Sequence, residues 1–279
     1  MCRLIVLCAA TAAATAATLT PVGGARLDVS RDVSANWAGY TVTGSPARRF
    51  TFTRVTASWT VPRVRCSARD GRSAVAIWVG IGGYASSTGT LQQVGTDAAC
   101  SSSGIATYHA WYELLPKPSA RLRLAVHPGD VVTASVTLAH PMTAVRLALA
   151  NETTGRADVK ELRVAQPDTL SAEWIVEAPS ACATYACAAA PLADFGTVTF
   201  TRAGATGNGR TATISGGPWT AVAIELVPAA EGGHPGHGAG GAPAEPASAA
   251  ASPRALVRGG RGFSVDWVAN SSLVAGPRS

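Results

Sequence analysis

The chain has 279 residues, of which 47% are hydrophobic and 14% charged, which excludes a disordered chain or a coiled coil. Its 29 glycines and 17 prolines are too many for a helical bundle of this length. The net charge of +6 rests on 23 basic residues, nearly all arginine and with no run longer than two; nucleic-acid proteins concentrate basic charge on one face, so no nucleic-acid partner is expected.

Residues 1–25 read as a secretory signal. Arg3 supplies the positive start, Leu4 to Leu19 is apolar or small throughout, and Pro21 to Ala25 is a small-residue exit. The apolar run falls short of the ~20 residues needed to span a bilayer. A secreted protein, free of the membrane once the signal is removed, is expected. Residues 26–34 follow as a short N-terminal segment, and 35–279 as a single domain. Val55–Val61, Ala74–Ile81, Ala106–Glu113, Val131–Leu138, Val145–Ala150, Ala172–Glu177, Gly196–Phe200 and Ala221–Val227 are short runs rich in β-branched and aromatic residues. Turn chemistry separates them, as in His127-Pro-Gly-Asp130 and Asn151-Glu-Thr-Thr-Gly155. From 229 to 258 the chain is Gly, Ala, Pro, Ser and His with nothing to bury, which predicts a flexible insertion. Gly262–Val268 then reads as a last strand. Many short strands without a lasting helical period predict an all-β sandwich or barrel.

Of the six cysteines, Cys2 and Cys8 leave with the signal. Cys66, Cys100, Cys182 and Cys187 remain, an even set that reads as two disulfides in an oxidising compartment. Local pairs, Cys66 with Cys100 and Cys182 with Cys187, are favoured among the three connectivities. None lies in a C-x-x-C pair or beside clustered histidines, so neither a metal site nor a cofactor is expected.

Strand parity carries the functional reading, because alternate residues of a strand point to opposite faces. Gln93, Gly95 and Asp97 share a face; so do His109, Trp111 and Glu113; so do Glu173, Ile175 and Glu177; so do Trp78, Gly80 and Gly82. The opposite faces are apolar. Acids and an amide beside tryptophan, with glycine leaving space, predict a cleft for an extended polymer. A buried glutamate near other carboxylates has its pKa raised and can shuttle protons. A glutamine beside it can donate N–H bonds to a developing oxyanion. Together they could hydrolyse an amide.

Seven motifs point further: Asn36-Trp-Ala-Gly-Tyr40, Trp78-Val-Gly-Ile-Gly-Gly83, Leu91-Gln-Gln-Val-Gly-Thr-Asp97, His109-Ala-Trp-Tyr-Glu113, Asn151-Glu-Thr-Thr-Gly155, Ala172-Glu-Trp-Ile-Val-Glu177 and Ala193-Asp-Phe-Gly-Thr-Val-Thr-Phe200. In this order the chain resembles the glutamic peptidases of the eqolisin type. The resemblance implies a jelly-roll-like β-sandwich of two antiparallel sheets, one curved to form the substrate cleft. It also implies an endopeptidase for protein or peptide substrates, working in acid; a monomer is expected. The catalytic amide falls on Gln93 and the catalytic acid on Glu177, with Glu173 as the fallback for the acid. Trp37, Trp78, Asp97, Trp111 and Glu113 match positions that line or support the cleft. Gly82 and His109 stand where the family carries Asp. Two fewer carboxylates, one replaced by a base, predict a lower pKa for Glu177 and activity at less acidic pH than is usual for the family.

Two other readings use the same face. A glycan-active or carbohydrate-binding sandwich would stack sugars on tryptophan and use two carboxylates. Glu173 and Glu177 lie about 13 Å apart along one strand, at ~3.3 Å per residue, too far for that chemistry without a second acid such as Glu113. A catalytically inactive binding protein of the same fold is the other. The Asn151 and Asn270 sequons are expected to be bare, with Asn151 as a turn residue.

Overall fold

The computed structural model describes residues 29–45, 47–69, 71–85, 89–183, 186–227 and 249–269, without the side chains of 181–189. The proposed signal, residues 1–25, and Asn270 lie outside the described residues. The elements in chain order are β1 (Ser30–Ser34), β2 (Trp37–Thr43), β3 (Phe52–Thr60), β4 (Ser73–Ile81), β5 (Gln92–Cys100), β6 (Ala106–Leu114), β7 (Ala120–Arg121), β8 (Val131–Ala139) and β9 (Ala144–Asn151). They continue with β10 (Arg156–Arg163), β11 (Ser171–Glu177), β12 (Ser180–Ala183), β13 (Ala186–Ala189), β14 (Thr197–Gly207), β15 (Arg210–Ala212), β16 (Thr220–Leu226), β17 (Ala249–Pro253) and β18 (Phe263–Ala269). No described residue is helical.

The all-β class holds, with the two layers joined into one 16-stranded sheet of order β10-β9-β8-β3-β14-β18-β17-β16-β2-β11-β4-β5-β6-β7. The joint is β14. Its residues Thr197–Phe200 pair with β18, and from Thr201 onward it pairs with β3, with a register shift between Thr201 and Gly204. Arg202, inside that shift, has a φ of 52°, and the irregularity turns the strand from one layer into the other. The sheet is antiparallel except for β1, which pairs parallel with β16. β15 adds to β14, and β12 with β13 forms a separate two-stranded ladder.

Alternation builds the core. β8 alternates exposed and buried along its length, burying Val132, Ala134, Val136 and Leu138. β4, β5 and β11 face β3, β8 and β9 across the layers, and Val79, Ile81, Val94, Trp174 and Val176 meet Val55, Trp59, Leu147 and Leu149 there. Trp174 Nε1 donates to the Thr56 carbonyl (2.9 Å) and Trp59 Nε1 to Thr96 Oγ1 (3.1 Å), so each indole satisfies its polar end by crossing the sandwich. Burying one such ring contributes about 4–6 kcal/mol from its ~150–250 Å². Trp219 packs on Phe50 and Phe52, an aromatic of the core rather than of a cleft.

The disulfide joins Cys66 to Cys100. Cys182 and Cys187 stand opposite each other in the β12–β13 register, and their side chains lie outside the described residues. Two boundaries differ from expectation. The low-complexity insertion does not run to 258: Ala249–Pro253 is a strand paired with β18, and Ala249, Ala250 and Ala251 are buried. Small side chains fit there between neighbouring strands, although they carry no β-propensity signal. The N-terminal segment is not outside the domain either, since Ser30–Ser34 extends the sheet. Asn151 is fully buried, donating to Asp130 Oδ2 (2.8 Å) and the Ala125 carbonyl (3.2 Å), the structural role its turn chemistry predicts.

Candidate active site

The registers of β2, β11, β4, β5 and β6 stack the candidate residues in three rows on the face turned away from the main core. The first row is Trp37, Glu177, Ala76, Asp97 and His109. The second is Gly39, Ile175, Trp78, Gly95 and Trp111, and the third is Thr41, Glu173, Gly80, Gln93 and Glu113. Parity therefore sorted these strands correctly. Trp37, Ala76, Trp78, Leu91, Trp111, Ile175 and Ile224 form an apolar cluster of their own on this face, with Tyr84 and Leu115 packed against it.

The glycines do not leave open space. A Cβ on Gly80 would lie 2.8 Å from Trp78 Cζ3 and 2.9 Å from Leu91 Cδ1, and one on Gly95 would lie 2.6 Å from Trp78 Cβ. Both make room for the Trp78 side chain, which is fully buried. Gly82 has a φ of +88°, and a Cβ there would lie 2.7 Å from Asp168 Cβ. The place expected to have lost a carboxylate is filled by that of Asp168.

Glu177, like Asp97 and Glu113 on this face, is not fully buried. It is partly exposed at the end of β11, and each carboxylate oxygen is held: Asn36 Nδ2 donates to Oε1 (3.2 Å) and Trp78 Nε1 to Oε2 (2.7 Å). Ser34 Oγ donates to Asn36 Oδ1 (3.1 Å), which orients the amide with its Nδ2 toward the acid. Burial pushes Glu177 up to about 7; the Glu113 charge acts the same way, and hydrogen bonds from Trp78, Trp37 and Asn36 pull it back. Desolvation dominates, and the charge that reaches Glu177 is that of Glu113, not one from position 82 or 109.

Gln93 is 3% exposed and donates from Nε2 to Glu113 Oε2 (2.6 Å), its neighbour across the β5–β6 ladder. That bond fixes the amide and leaves the second Nε2 hydrogen for another acceptor. Buried without a partner are Gln93 Oε1 and, from the second row, Trp111 Nε1. Burial raises the Glu113 pKa, against the hydrogen bond from Gln93 and the Ser119 backbone N–H. Asp97 is also raised by burial, against the His109 ring 3.0 Å away and the charge of Arg121.

Glu173 is fully buried, with Thr41 Oγ1 3.4 Å from its Oε1. Burial, with the Asp168 charge adding to it, holds its pKa well above the usual carboxylate range. A group closed off in this way is poorly placed to exchange a proton with a bound water, which leaves Glu177 the better candidate. Tyr84 Oη donates to Asp32 Oδ2 of β1 (2.8 Å). Asn36, Ser34 and Asp168 had no role in the sequence reading. Asn36 sat inside a quoted motif, immediately before Trp37, and that adjacency was the available signal; Asp168 lies in a loop with none.

An all-β sheet with acids, an amide and tryptophans on one face is the architecture of a peptidase of the glutamic class. Residues 35–228 match the peptidase A4 family, and the chain belongs to that family of peptide-bond hydrolases. It is 28% identical to aspergillopepsin-2 of Aspergillus niger over 228 residues, 71% of this chain and 72% of that protein. It is similar in fold to scytalido-glutamic peptidase solved with a transition-state analogue inhibitor, at a TM-score of 0.63 and 25% identity, over 84% of this chain and 98% of the other. Aspergilloglutamic peptidase of Aspergillus niger matches at a TM-score of 0.51 and 25% identity, over 70% and 99%. These likenesses do not favour the glycan-active alternative.

Proposed function

We propose that the chain is a secreted endopeptidase in which Glu177 is the general base and then the general acid, and Gln93 stabilises the tetrahedral oxygen. The observation that carries this reading is the Glu177 carboxylate, partly exposed, held by Asn36 and Trp78, with a pKa of about 7. In the first step ionised Glu177 takes a proton from a bound water, and the hydroxide attacks the scissile carbonyl carbon. The carbonyl π electrons move to its oxygen, which accepts a hydrogen bond from the free Nε2–H of Gln93. In the second step the C–N bond breaks as protonated Glu177 gives its proton to the leaving nitrogen. The products are an acid and an amine, and Glu177 is again ionised. Asn36 and Trp78 hold the two oxygens throughout, so the carboxylate need not reorganise between steps.

Ile175, Trp78 and Trp111 form a buried apolar layer between these groups, which packs beneath the acid and the amide rather than meeting the peptide itself. The signal expected at 1–25 and the Cys66–Cys100 disulfide support an extracellular site of action, and we propose that the chain works as a monomer. Digestion of denatured casein tests the reading. Wild type should release peptides, and Glu177→Gln and Gln93→Ala should release almost none while unfolding at close to the wild-type temperature. Full activity in Glu177→Gln would remove the base assignment.

A further inference from the structure

Asp168 is 4% exposed and has no basic partner among the described residues; each of its carboxylate oxygens accepts from a backbone N–H. Oδ2 accepts from the Gly83 N–H (2.9 Å) and Oδ1 from the Leu170 N–H (2.9 Å), while the Asp168 N–H donates to Thr90 Oγ1 (2.9 Å). Gly82 N–H donates to the Ser171 carbonyl beside it (3.0 Å). One residue thus touches both ends of the β4–β5 connection, at Gly83 and Thr90, and the start of β11. Gly82 lacks a side chain because Asp168 occupies its place, its Cβ and carbonyl oxygen each 2.7 Å from where a Cβ would stand. Downstream of Thr90, Leu91 lies against the Gly80 and Gly83 positions, and Gln93 follows two residues later. Downstream of Leu170, β11 leads through Glu173 to Glu177.

We propose that Asp168 is a positioning residue for peptide hydrolysis: it braces the strand that carries Gln93 against the strand that carries Glu177, across the end of β4 between them. A buried carboxylate suits the task because it accepts from two divergent N–H groups, which an amide or a methyl cannot both satisfy. The inference rests on the proposed Gln93 and Glu177 roles for its catalytic consequence, and on the clamp alone for its structural one.

The test has an arm for each. In steady-state kinetics on a peptide substrate, Asp168→Ala should lower kcat at least tenfold with KM within about threefold, since small misplacements of catalytic groups cost up to ~10² in rate. Asp168→Asn, which keeps the shape and one acceptor, should fall between. Gly82→Asp alone should lose activity through the clash. Gly82→Asp combined with Asp168→Gly should be more active than Asp168→Gly alone, because the carboxylate returns from the other side. In hydrogen exchange, the Gly83 and Leu170 amides should exchange faster in Asp168→Ala. Wild-type kcat in Asp168→Ala beside an inactive Glu177→Gln would overturn the positioning role and leave the base assignment standing. Unchanged exchange at both amides would overturn the clamp whatever the activity.

Discussion

Trp78 reaches Glu177 on the diagonal. The register pairs Glu177 with Ala76, yet the Trp78 indole N–H, one step along β4, lies 2.7 Å from Glu177 Oε2. Diagonal neighbours in a ladder are within reach of long aromatic side chains, and Trp37 stacks edge-on against Trp78 at 5.1 Å between centroids to hold the ring in place. The tryptophan therefore packs beneath the acid and donates a hydrogen bond to it.

Replacing Trp78 by Phe keeps most of the apolar volume and removes the donor. A hydrogen bond to a charged group contributes about 1.5–3 kcal/mol, so the Glu177 pKa should rise. The acid limb of kcat/KM should move up by about one to two pH units, at ~1.4 kcal/mol per unit. A pH–rate profile of the variant beside wild type checks this; an unmoved limb would detach Trp78 from the acid.

Wild-type activity should rise from acid toward neutrality. A general base must be ionised, and Glu177 has a pKa of about 7, so kcat/KM should climb through that region on its acid side. A profile confined below about pH 4, near the unperturbed glutamate value, would contradict the assignment.

Stability should run the other way. Asp97, Glu113, Glu173 and Glu177 all have folded pKa values raised by burial. Such groups keep protons in the folded chain that the unfolded chain releases near pH 4, so ΔG of unfolding falls as pH rises. For Glu177 the window is from about 4.5 to 7. Asp158 and Asp266, lowered by Lys160 and Arg254, act oppositely and only in stronger acid. Thermal unfolding from pH 4.5 to 8 should show a declining Tm, and Glu177→Gln should flatten the slope.

Glu113→Ala releases the amide that Glu113 now anchors at 2.6 Å. Its kcat should fall about tenfold, against about 10²–10³ for Gln93→Ala, the usual loss of an oxyanion donor. Equal losses would make Glu113 a direct participant rather than an orienting one.

Cys66→Ser removes a bridge closing 34 residues of sequence separation. The chain-entropy estimate is about 3–4 kcal/mol, so Tm should drop by about 10 °C, with kcat little changed because both cysteines lie away from Glu177 and Gln93.

Which face each strand shows the site was legible in the sequence, because period-two alternation and β-branched content are local properties of a strand. Gln93, Asp97, His109, Trp111, Glu113, Glu173 and Glu177 all fall where parity put them. Burial depth was not legible. Alternation cannot say that Trp78 leans over Gly80 and Gly95, nor that Glu173 is closed off while Glu177 opens outward. Contacts from irregular segments were also hidden: Asn36, Ser34 and Asp168 reach the site from loops and an edge strand, which carry no periodic signal. The Ala249–Ala251 stretch failed for a compositional reason, since alanine favours no strand until neighbours bury it. The passage of β14 between layers depends on a bulge, which composition does not announce.

Leu226 and Ala251 are partners across one ladder. The chain thus leaves β16 and enters β17 at adjacent points of the sheet, and the two points share one doorway. A spacer of a few residues would close the same gap, and a long one costs only slightly more in closure entropy. The position is accordingly a natural port, where a tag, a tether or a whole guest domain could be spliced without asking the sandwich to move.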